Sequence, residues 1–208
     1  MNDNGDSASD QNGAASTRRT FLRQSFLGAA GLTAAGSLAS TAARAQSLDG
    51  LHACTFEVDA TPAVGQPLSG GNDVAKEIVD PLSCRGVAFL PDNQRPIVLA
   101  AVDWINNANG GYDAWRLVLA EAAGTSPDRV AMHALHQHDA PSCDFDEELI
   151  LLGYGRTPGG FSPDFARDTM RRAADALRTS LGNPLPVTHV GLGRARVERS
   201  EEHTSELQ

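Results

Sequence analysis

Three histidines lie close together in a short segment that ends in an acidic residue and a proline. The segment reads HALHQHDAP over residues 133–141. Side chains at positions i and i+2 of a β-strand point to the same face, so His136 and His138 can converge on one cation if the strand continues through them. His133 has the opposite parity and is expected to face the core or another layer. Asp139 can orient one of the imidazoles or bind the metal itself.

Two interpretations of this segment are open from the residue types alone. It can form a metal or catalytic site, or its histidines can be structural residues of the fold. The carboxylates that follow can supply additional metal ligands, or they can form a solvated acidic loop; they are Asp144, Asp146, Glu147 and Glu148.

Motifs for other kinds of chemistry are incomplete. The glycines at 153–155 and 159–160 lack the Lys-Ser/Thr pair of a phosphate-binding loop. The segment Gly191-Leu192-Gly193 has no third glycine in register, so it is not a dinucleotide-binding fingerprint. The sequence also contains no G-x-S-x-G motif, which argues against the serine nucleophile of an α/β-hydrolase.

The elements that must position the histidines alternate between strand and helix. Alternating or β-rich apolar runs predict strands at 53–60, 84–90, 97–102 and 130–135, with another beginning at Pro186, and the second and third should form a hairpin. Helices are predicted at 113–123, capped by Asp113 and ended by Gly124, and at 163–181, begun by Ser162-Pro163. Residues 145–154 are ambiguous. This order predicts a mixed, layered α/β domain with His136 and His138 near the end of a strand, where α/β sheets expose their sites.

The cysteines are Cys54, Cys84 and Cys143, and none has the C-x-x-C spacing of a cysteine zinc site. An oxidising compartment would permit a disulfide between Cys54 and Cys84, which fall in two predicted strands. The alternative is that all three are small buried side chains.

Residues 1–45 have the features of an export signal. The segment TRRTFLR at 17–23 is similar to the twin-arginine motif, a mildly apolar stretch follows at 26–39, and Ala43-Arg44-Ala45 is an A-x-A cleavage site. These features predict recognition by the twin-arginine export machinery and a periplasmic or secreted location. The apolar stretch is too short and too weak to form a stable transmembrane span.

The last ten residues, RSEEHTSELQ at 199–208, have no apolar period. They resemble the translation of a sequencing-adapter oligonucleotide, so we expect an artefactual tail in which His203 has no functional role. The native domain is then expected at 46–198, as the N-terminal part of a longer one. The 208-residue sequence has a formal net charge of −9, which argues against a nucleic-acid partner.

A series of motifs along this domain has the order found in one known family. The motifs are VDATP at 58–62, PLSGG at 67–71, RGVAF at 85–89, the strand ending at Asp103, TSPDRV at 125–130, HQHDAP at 136–141 and PVTHVGLG at 186–193. Their order resembles the N-terminal part of the catalytic domain of the neutral/alkaline, non-lysosomal ceramidases.

The resemblance implies a zinc-dependent hydrolase that cleaves an amide bond in a lipid such as ceramide. It implies that His136 is a zinc ligand and that His138 is a second ligand or contacts the substrate. We therefore predict His136 and His138 as metal residues and His138 and Asp139 as catalytic residues. The family's other ligands would lie past Glu198, so the 208-residue chain is expected to be inactive although its parent is an enzyme.

The sequence departs from the family at the histidine motif itself. Gln137 stands in place of a threonine and Asp139-Ala140 in place of Ser-Gly, which changes the charge and shape of the pocket and makes ceramide itself a doubtful substrate. Two alternatives stay open: a different metallohydrolase with an H-x-H site, such as an amidohydrolase barrel, and an exported binding domain without enzymatic activity.

Overall fold

The computed structural model describes residues 46–47, 50–68 and 71–193, with side chains from residue 50 onward. The predicted export signal at 1–45 and the predicted tail at 199–208 lie outside these described residues. Within the described ranges, no helix is both long enough and apolar enough to cross a lipid bilayer.

Nine strands and three α-helices make up the described part of the chain. The strands are β1 (Gln46–Ser47), β2 (Leu51–Asp59), β3 (Pro67–Leu68), β4 (Asp73–Val74), β5 (Ser83–Pro91), β6 (Ile97–Val102), β7 (Val130–Ala134), β8 (Leu185–Pro186) and β9 (His189–Val190). The helices are α1 (Asn109–Ala123), α2 (Phe145–Gly153) and α3 (Pro163–Ser180), and a short 3₁₀ helix covers Pro127–Arg129.

The main sheet has five strands in the order β7-β6-β5-β2-β8. Strands β2, β5 and β6 are antiparallel neighbours, β8 pairs antiparallel with β2, and β6 and β7 are parallel. The parallel pair is joined through α1, as a crossover between parallel strands requires. The predicted hairpin and the predicted mixed α/β fold are both confirmed.

One face of this sheet is covered by α1 and α3. Alternate strand residues that point to these helices are buried, and the largest of the core side chains come from the helices and the adjoining loops. The fully buried helical residues include Trp115 and Leu119 of α1 and Ala173 and Leu177 of α3. The opposite face carries Glu57, Arg85, Leu99 and His133, all of them exposed. His133 therefore faces away from the two helices, and the expectation that it faces the core or another layer is wrong among the described residues.

Helix α1 begins earlier than its sequence pattern indicates. It starts at Asn109 after Ala108, which makes no side-chain capping bond, so the prediction that Asp113 caps it is wrong. A tertiary contact holds this extra turn, because Gly110 N donates to the Asp146 carboxylate at 3.2 Å. The predicted end is confirmed, since Gly124 has the left-handed φ of 64° that glycine adopts easily.

Helices α2 and α3 begin at side-chain caps. Ser162 Oγ accepts from Phe165 N at 3.5 Å, which confirms the predicted start of α3. The ambiguous segment is helical as α2, because the Asp144 carboxylate accepts from the backbone N–H groups of Asp146 and Glu147 at 3.0 and 3.2 Å.

Replacing Gly111 with alanine is expected to destabilise the fold by about 1–3 kcal/mol, because overpacking a filled space forces neighbouring atoms to move. A methyl group there would lie 2.5 Å from Cys143 O and 2.8 Å from Cys143 Sγ. Gly153→Ala is the matched control, since a methyl group on α2 at that position meets no atom within 4 Å. Urea denaturation should show a loss for Gly111→Ala alone, and equal stability of the two variants would contradict the close packing of α1 against Cys143.

The structure does not contain the Cys54–Cys84 disulfide that the sequence left open. All three cysteines are free and buried. Cys54 pairs with Ala88 across the β2–β5 ladder, whereas Cys84 pairs with Val58. Four residues along a strand span about 13 Å, which is too far for a disulfide. The alternative interpretation of the cysteines as small buried side chains is the one the structure shows.

Burial makes two of these thiols weaker acids than an ordinary cysteine. Removal from water raises the pKa of Cys84 and of Cys143 to about 12, and the nearby carboxylates of Asp103 and Asp144 respectively add to this. The folded chain therefore keeps two protons that the unfolded chain releases near pH 9.

Stability is accordingly expected to be fully retained below about pH 9 and to fall as the pH rises towards about 12, by up to about 1.4 kcal/mol per pH unit for each thiol. Urea denaturation at about pH 8 and about pH 10 measures this difference. The double variant Cys84→Ala/Cys143→Ala should lose less stability over the same interval. Identical pH dependence in the two proteins would show that the buried thiols do not contribute.

Candidate functional site

The ends of four strands meet at one edge of the main sheet. The register pairs Asp59, at the end of β2, with Ser83, at the start of β5. It also pairs Val102, at the end of β6, with both Cys84 and Ala134, the last residue of β7. We call this the carboxyl edge, because β2, β6 and β7 all end there. Crevices outside such strand ends are the usual ligand sites of α/β sheets.

The loops that follow β6 and β7 run side by side at the carboxyl edge. Leu135 N donates to Val102 O at 3.1 Å, and Gln137 N is 3.4 Å from Trp104 O. Between these two contacts, the Nδ1 atom of His136 lies 3.0 Å from Ile105 O. The loop after β6 therefore fixes the position of the first of the two predicted metal residues.

The histidine pair is brought together by a loop and not by a strand. Strand β7 ends at Ala134, so the condition for a shared strand face, that the strand continues through His136 and His138, is not met. His136 has a left-handed φ of 58°, which turns the chain. The rings of His136 and His138 nevertheless meet, with centroids 4.9 Å apart and planes at 88°. Both histidines lie just beyond the end of a strand, as predicted.

The contact with Ile105 also decides which ring nitrogen of His136 holds the proton. A carbonyl oxygen accepts hydrogen bonds and cannot donate them, so in the neutral ring Nδ1 carries the hydrogen and Nε2 carries the lone pair. Metal-binding histidines are oriented in this way, with the second ring nitrogen donating to a carbonyl or carboxylate. The donor type and orientation of His136 therefore fit zinc.

The described residues do not contain a complete zinc site. Across residues 50–68 and 71–193 there is no group of three or more His, Cys, Asp or Glu side chains that could hold a metal ion. Structural zinc sites take four protein ligands and catalytic ones three. The two imidazoles of His136 and His138 can fill at most two of these positions.

The carboxylates downstream of the histidines lie at the N-terminus of helix α2. Asp144 is its N-cap, Asp146 accepts from Gly110 N, and Glu148 forms an ion pair with Arg167 that also raises the pKa of that guanidinium. Glu147 lies in the first turn of the helix. They therefore lie at and in the first turn of a helix, where negative charge is favoured, and not in the solvated acidic loop that the sequence allowed.

Asp139 is exposed and lies in the loop after β7. Together with Gln137 it lines a cleft of about 370 Å³, whose other side is formed by residues 73–80. The structure thus places the predicted catalytic residue Asp139 on a cleft wall, one residue after His138.

Several residues that fix the carboxyl edge escaped the sequence analysis. Asp103, noticed only as the end of a strand, accepts from both the backbone N and the Oγ of Ser83 at 2.9 Å. Trp104 donates its indole N–H to Ala60 O at 3.0 Å. The pKa of Asp59 is lowered because its carboxylate accepts hydrogen bonds from Thr61. The only sequence signal for these bonds is the clustering of polar residues directly after strands.

No family model matches the chain, and no curated protein matches it. Solved structures that are similar to it include the following two. The first, described as a ceramidase complexed with C2, has a TM-score of 0.48 and 15% identity over 66% of this chain and 22% of that one. The second, a neutral ceramidase from Pseudomonas aeruginosa, has a TM-score of 0.41 and 17% identity over 64% of this chain and 21% of that one. The present chain spans about a fifth of the length of either structure.

Proposed function

We propose that this chain is the N-terminal part of an exported, zinc-dependent hydrolase of N-acyl lipids or related amides. The observation that carries the proposal is the pair of imidazoles at the carboxyl edge, with ring centroids 4.9 Å apart and the Nδ1 of His136 held by Ile105 O. The ceramidase-like order of the sequence motifs around this pair supports the amide substrate.

Zinc bound at this edge would supply Lewis-acid polarisation of the amide carbonyl and a more acidic water molecule. His136 and His138 would hold the ion, and the hydrogen bond to Ile105 keeps the His136 ring in its binding orientation. Asp139, on the wall of the adjoining cleft, is assigned the proton transfer between water and the leaving amine.

The proposal also assigns a role to each of the three segments of the chain. Residues 1–45 act as a twin-arginine signal peptide, residues 46–198 begin the hydrolase domain, and residues 199–208 are not native. Export by this route delivers the protein to the periplasm or the medium. The two histidines fill too few zinc positions for catalysis, so the 208-residue chain should be inactive on its own.

The test compares the 208-residue chain with the product of the uninterrupted gene on a panel of N-acyl lipids and simple amides. The longer protein should hydrolyse an N-acyl amide, lose that activity in a chelator and regain it with zinc, whereas the shorter chain shows no turnover. Activity of the longer protein that a chelator leaves unchanged would overturn the zinc-hydrolase proposal. Robust turnover by the 208-residue chain would overturn its description as an inactive part.

A further inference from the structure

The cleft beside the histidines has two walls of different origin. Thr61, Gln137 and Asp139 come from the carboxyl edge, and the facing wall is the segment 73–80. Gln137 and Asp139 are the chain neighbours of His138, whereas His136 and His138 themselves are not among the lining residues, so the cleft and the proposed zinc site share a loop. The volume of about 370 Å³ lies within the range of roughly 300–1,000 Å³ that is usual for small-molecule sites.

Both walls are held by hydrogen bonds. Ala75 exchanges backbone hydrogen bonds with its neighbours across the loop, donating to Gln66 O at 2.9 Å and accepting from Gly65 N at 2.7 Å. On the other side, Thr61 Oγ1 accepts from Leu82 N at 2.9 Å. The cleft is therefore a formed feature of the fold.

Apolar side chains line the cleft and remain open to water. Ile78 is 51% exposed and Val79 is 80% exposed, and both are lining residues, as are Pro62, Leu68 and Leu82. An alkyl chain seated between them would remove apolar surface of both partners from water, which is the main source of affinity for such a ligand.

The negative charge of the cleft disfavours ligands with a negatively charged head group. Four carboxylates line it, from Asp73, Glu77, Asp80 and Asp139, against the single ammonium group of Lys76. Lys76 is already paired with Asp73 at 3.1 Å. A ligand with a carboxylate head would meet like charges, whereas a neutral amide would not.

We propose that this cleft binds the alkyl chain of a neutral N-acyl amide and discriminates against the fatty acid of the same length. The proposal rests on the proposed function for its substrate class, and it adds the residues that select the chain. Val79 and Ile78 set the preference for a long chain, and the surrounding carboxylates set the preference for an uncharged head.

Titration calorimetry of the metal-free 208-residue chain tests the proposal, with N-acyl ethanolamides of increasing length and the matching fatty acids, all below their micelle concentrations. Affinity for the amides should rise about threefold for each added methylene. Each fatty acid should bind about tenfold or more weakly than its amide, and this difference should shrink as salt screens the carboxylates. Affinity independent of chain length, or equal binding of acid and amide, would overturn the proposal.

Substitutions at two exposed valines test whether the alkyl chain binds in the cleft. Val79→Ser should weaken binding of the longest amide by about threefold to tenfold, whereas Val64→Ser, at a residue 60% exposed and not among those lining the cleft, should leave it unchanged. Equal weakening by both substitutions would contradict the assignment. His136→Ala should retain the chain-length dependence, so a failure of the zinc site and a failure of the cleft give different results.

Discussion

Trp104→Ala is expected to lower the free energy of unfolding by about 3–5 kcal/mol, the usual loss for a buried large aromatic side chain. Trp104 is fully buried and follows directly after Asp103 at the end of β6. Its ring packs edge-on against Trp115 of α1 at a centroid distance of 5.8 Å, and in a tilted arrangement against Phe165 of α3 at 5.7 Å. One side chain therefore joins the carboxyl edge to both helices.

A hydrogen bond adds to this packing. The indole N–H of Trp104 donates to Ala60 O at 3.0 Å, whereas the equally buried Trp115 Nε1 has no hydrogen-bond partner among the described residues. Trp104→Phe and Trp115→Phe thus make similar changes in volume, but only the first leaves a carbonyl group without its donor. That difference is expected to be worth about 1–3 kcal/mol.

Urea denaturation of the three variants measures the contribution of the packing of Trp104 and the contribution of its hydrogen bond to Ala60. Trp104→Ala should be the least stable, and Trp104→Phe should be less stable than Trp115→Phe. A loss below about 1 kcal/mol for Trp104→Ala would contradict its central place in the core, and equal stability of the two phenylalanine variants would contradict the contribution of the bond to Ala60.

The strands and the longest helix could be predicted because their local pattern and their tertiary environment agree. The run Val98, Ala100 and Val102 buries alternate residues, as its sequence indicates. Helix α3 has a serine-proline start and apolar residues at helical spacing, and both features are used in the fold. Such elements need no information from distant parts of the chain.

The start of α1 could not be predicted because it depends on residues far along the chain. Asn109, Gly110 and Gly111 have low helix propensity, yet they form its first turn. Gly110 is bound by Asp146, and Gly111 fits against Cys143 where a larger residue would not. Packing from the loop before α2 therefore overrides the local preference.

The approach of the two histidine rings was predicted from the sequence, but the way in which the chain brings them together was not. The spacing of His136 and His138 indicated a shared direction through strand alternation, and the structure reaches it through a left-handed residue in a loop. The contact of His136 with Ile105 is 31 residues distant in sequence, so no local pattern could show it. Pairing of the two loops at the carboxyl edge depends on the parallel register of β6 and β7.

Zinc binding is expected to depend on the two histidines of the carboxyl edge and on no other histidine. His136→Ala or His138→Ala should each weaken zinc binding by more than about tenfold, because each removes one of two ligands, and even loss of an outer-shell partner costs about 10–100-fold. Asp139 lines the cleft beside this pair, so Asp139→Asn should affect zinc less than loss of either imidazole.

The chain provides a close control for these substitutions. His133 belongs to the same segment, but it is exposed on the sheet face opposite the helices and lies on β7 itself. His133→Ala removes an imidazole of the same chemistry three residues before His136 without changing the carboxyl edge. The protein must carry no histidine tag, since a tag would bind zinc independently.

Zinc titration of the untagged 208-residue chain, by competition with a coloured zinc indicator, therefore tests the proposed site most directly. We predict weak, reversible binding of one zinc ion by the unsubstituted chain and by His133→Ala, and loss of that binding in both His136→Ala and His138→Ala. Binding that survives in either of the latter two variants, or that is lost equally in His133→Ala, would contradict a zinc site formed by His136 and His138.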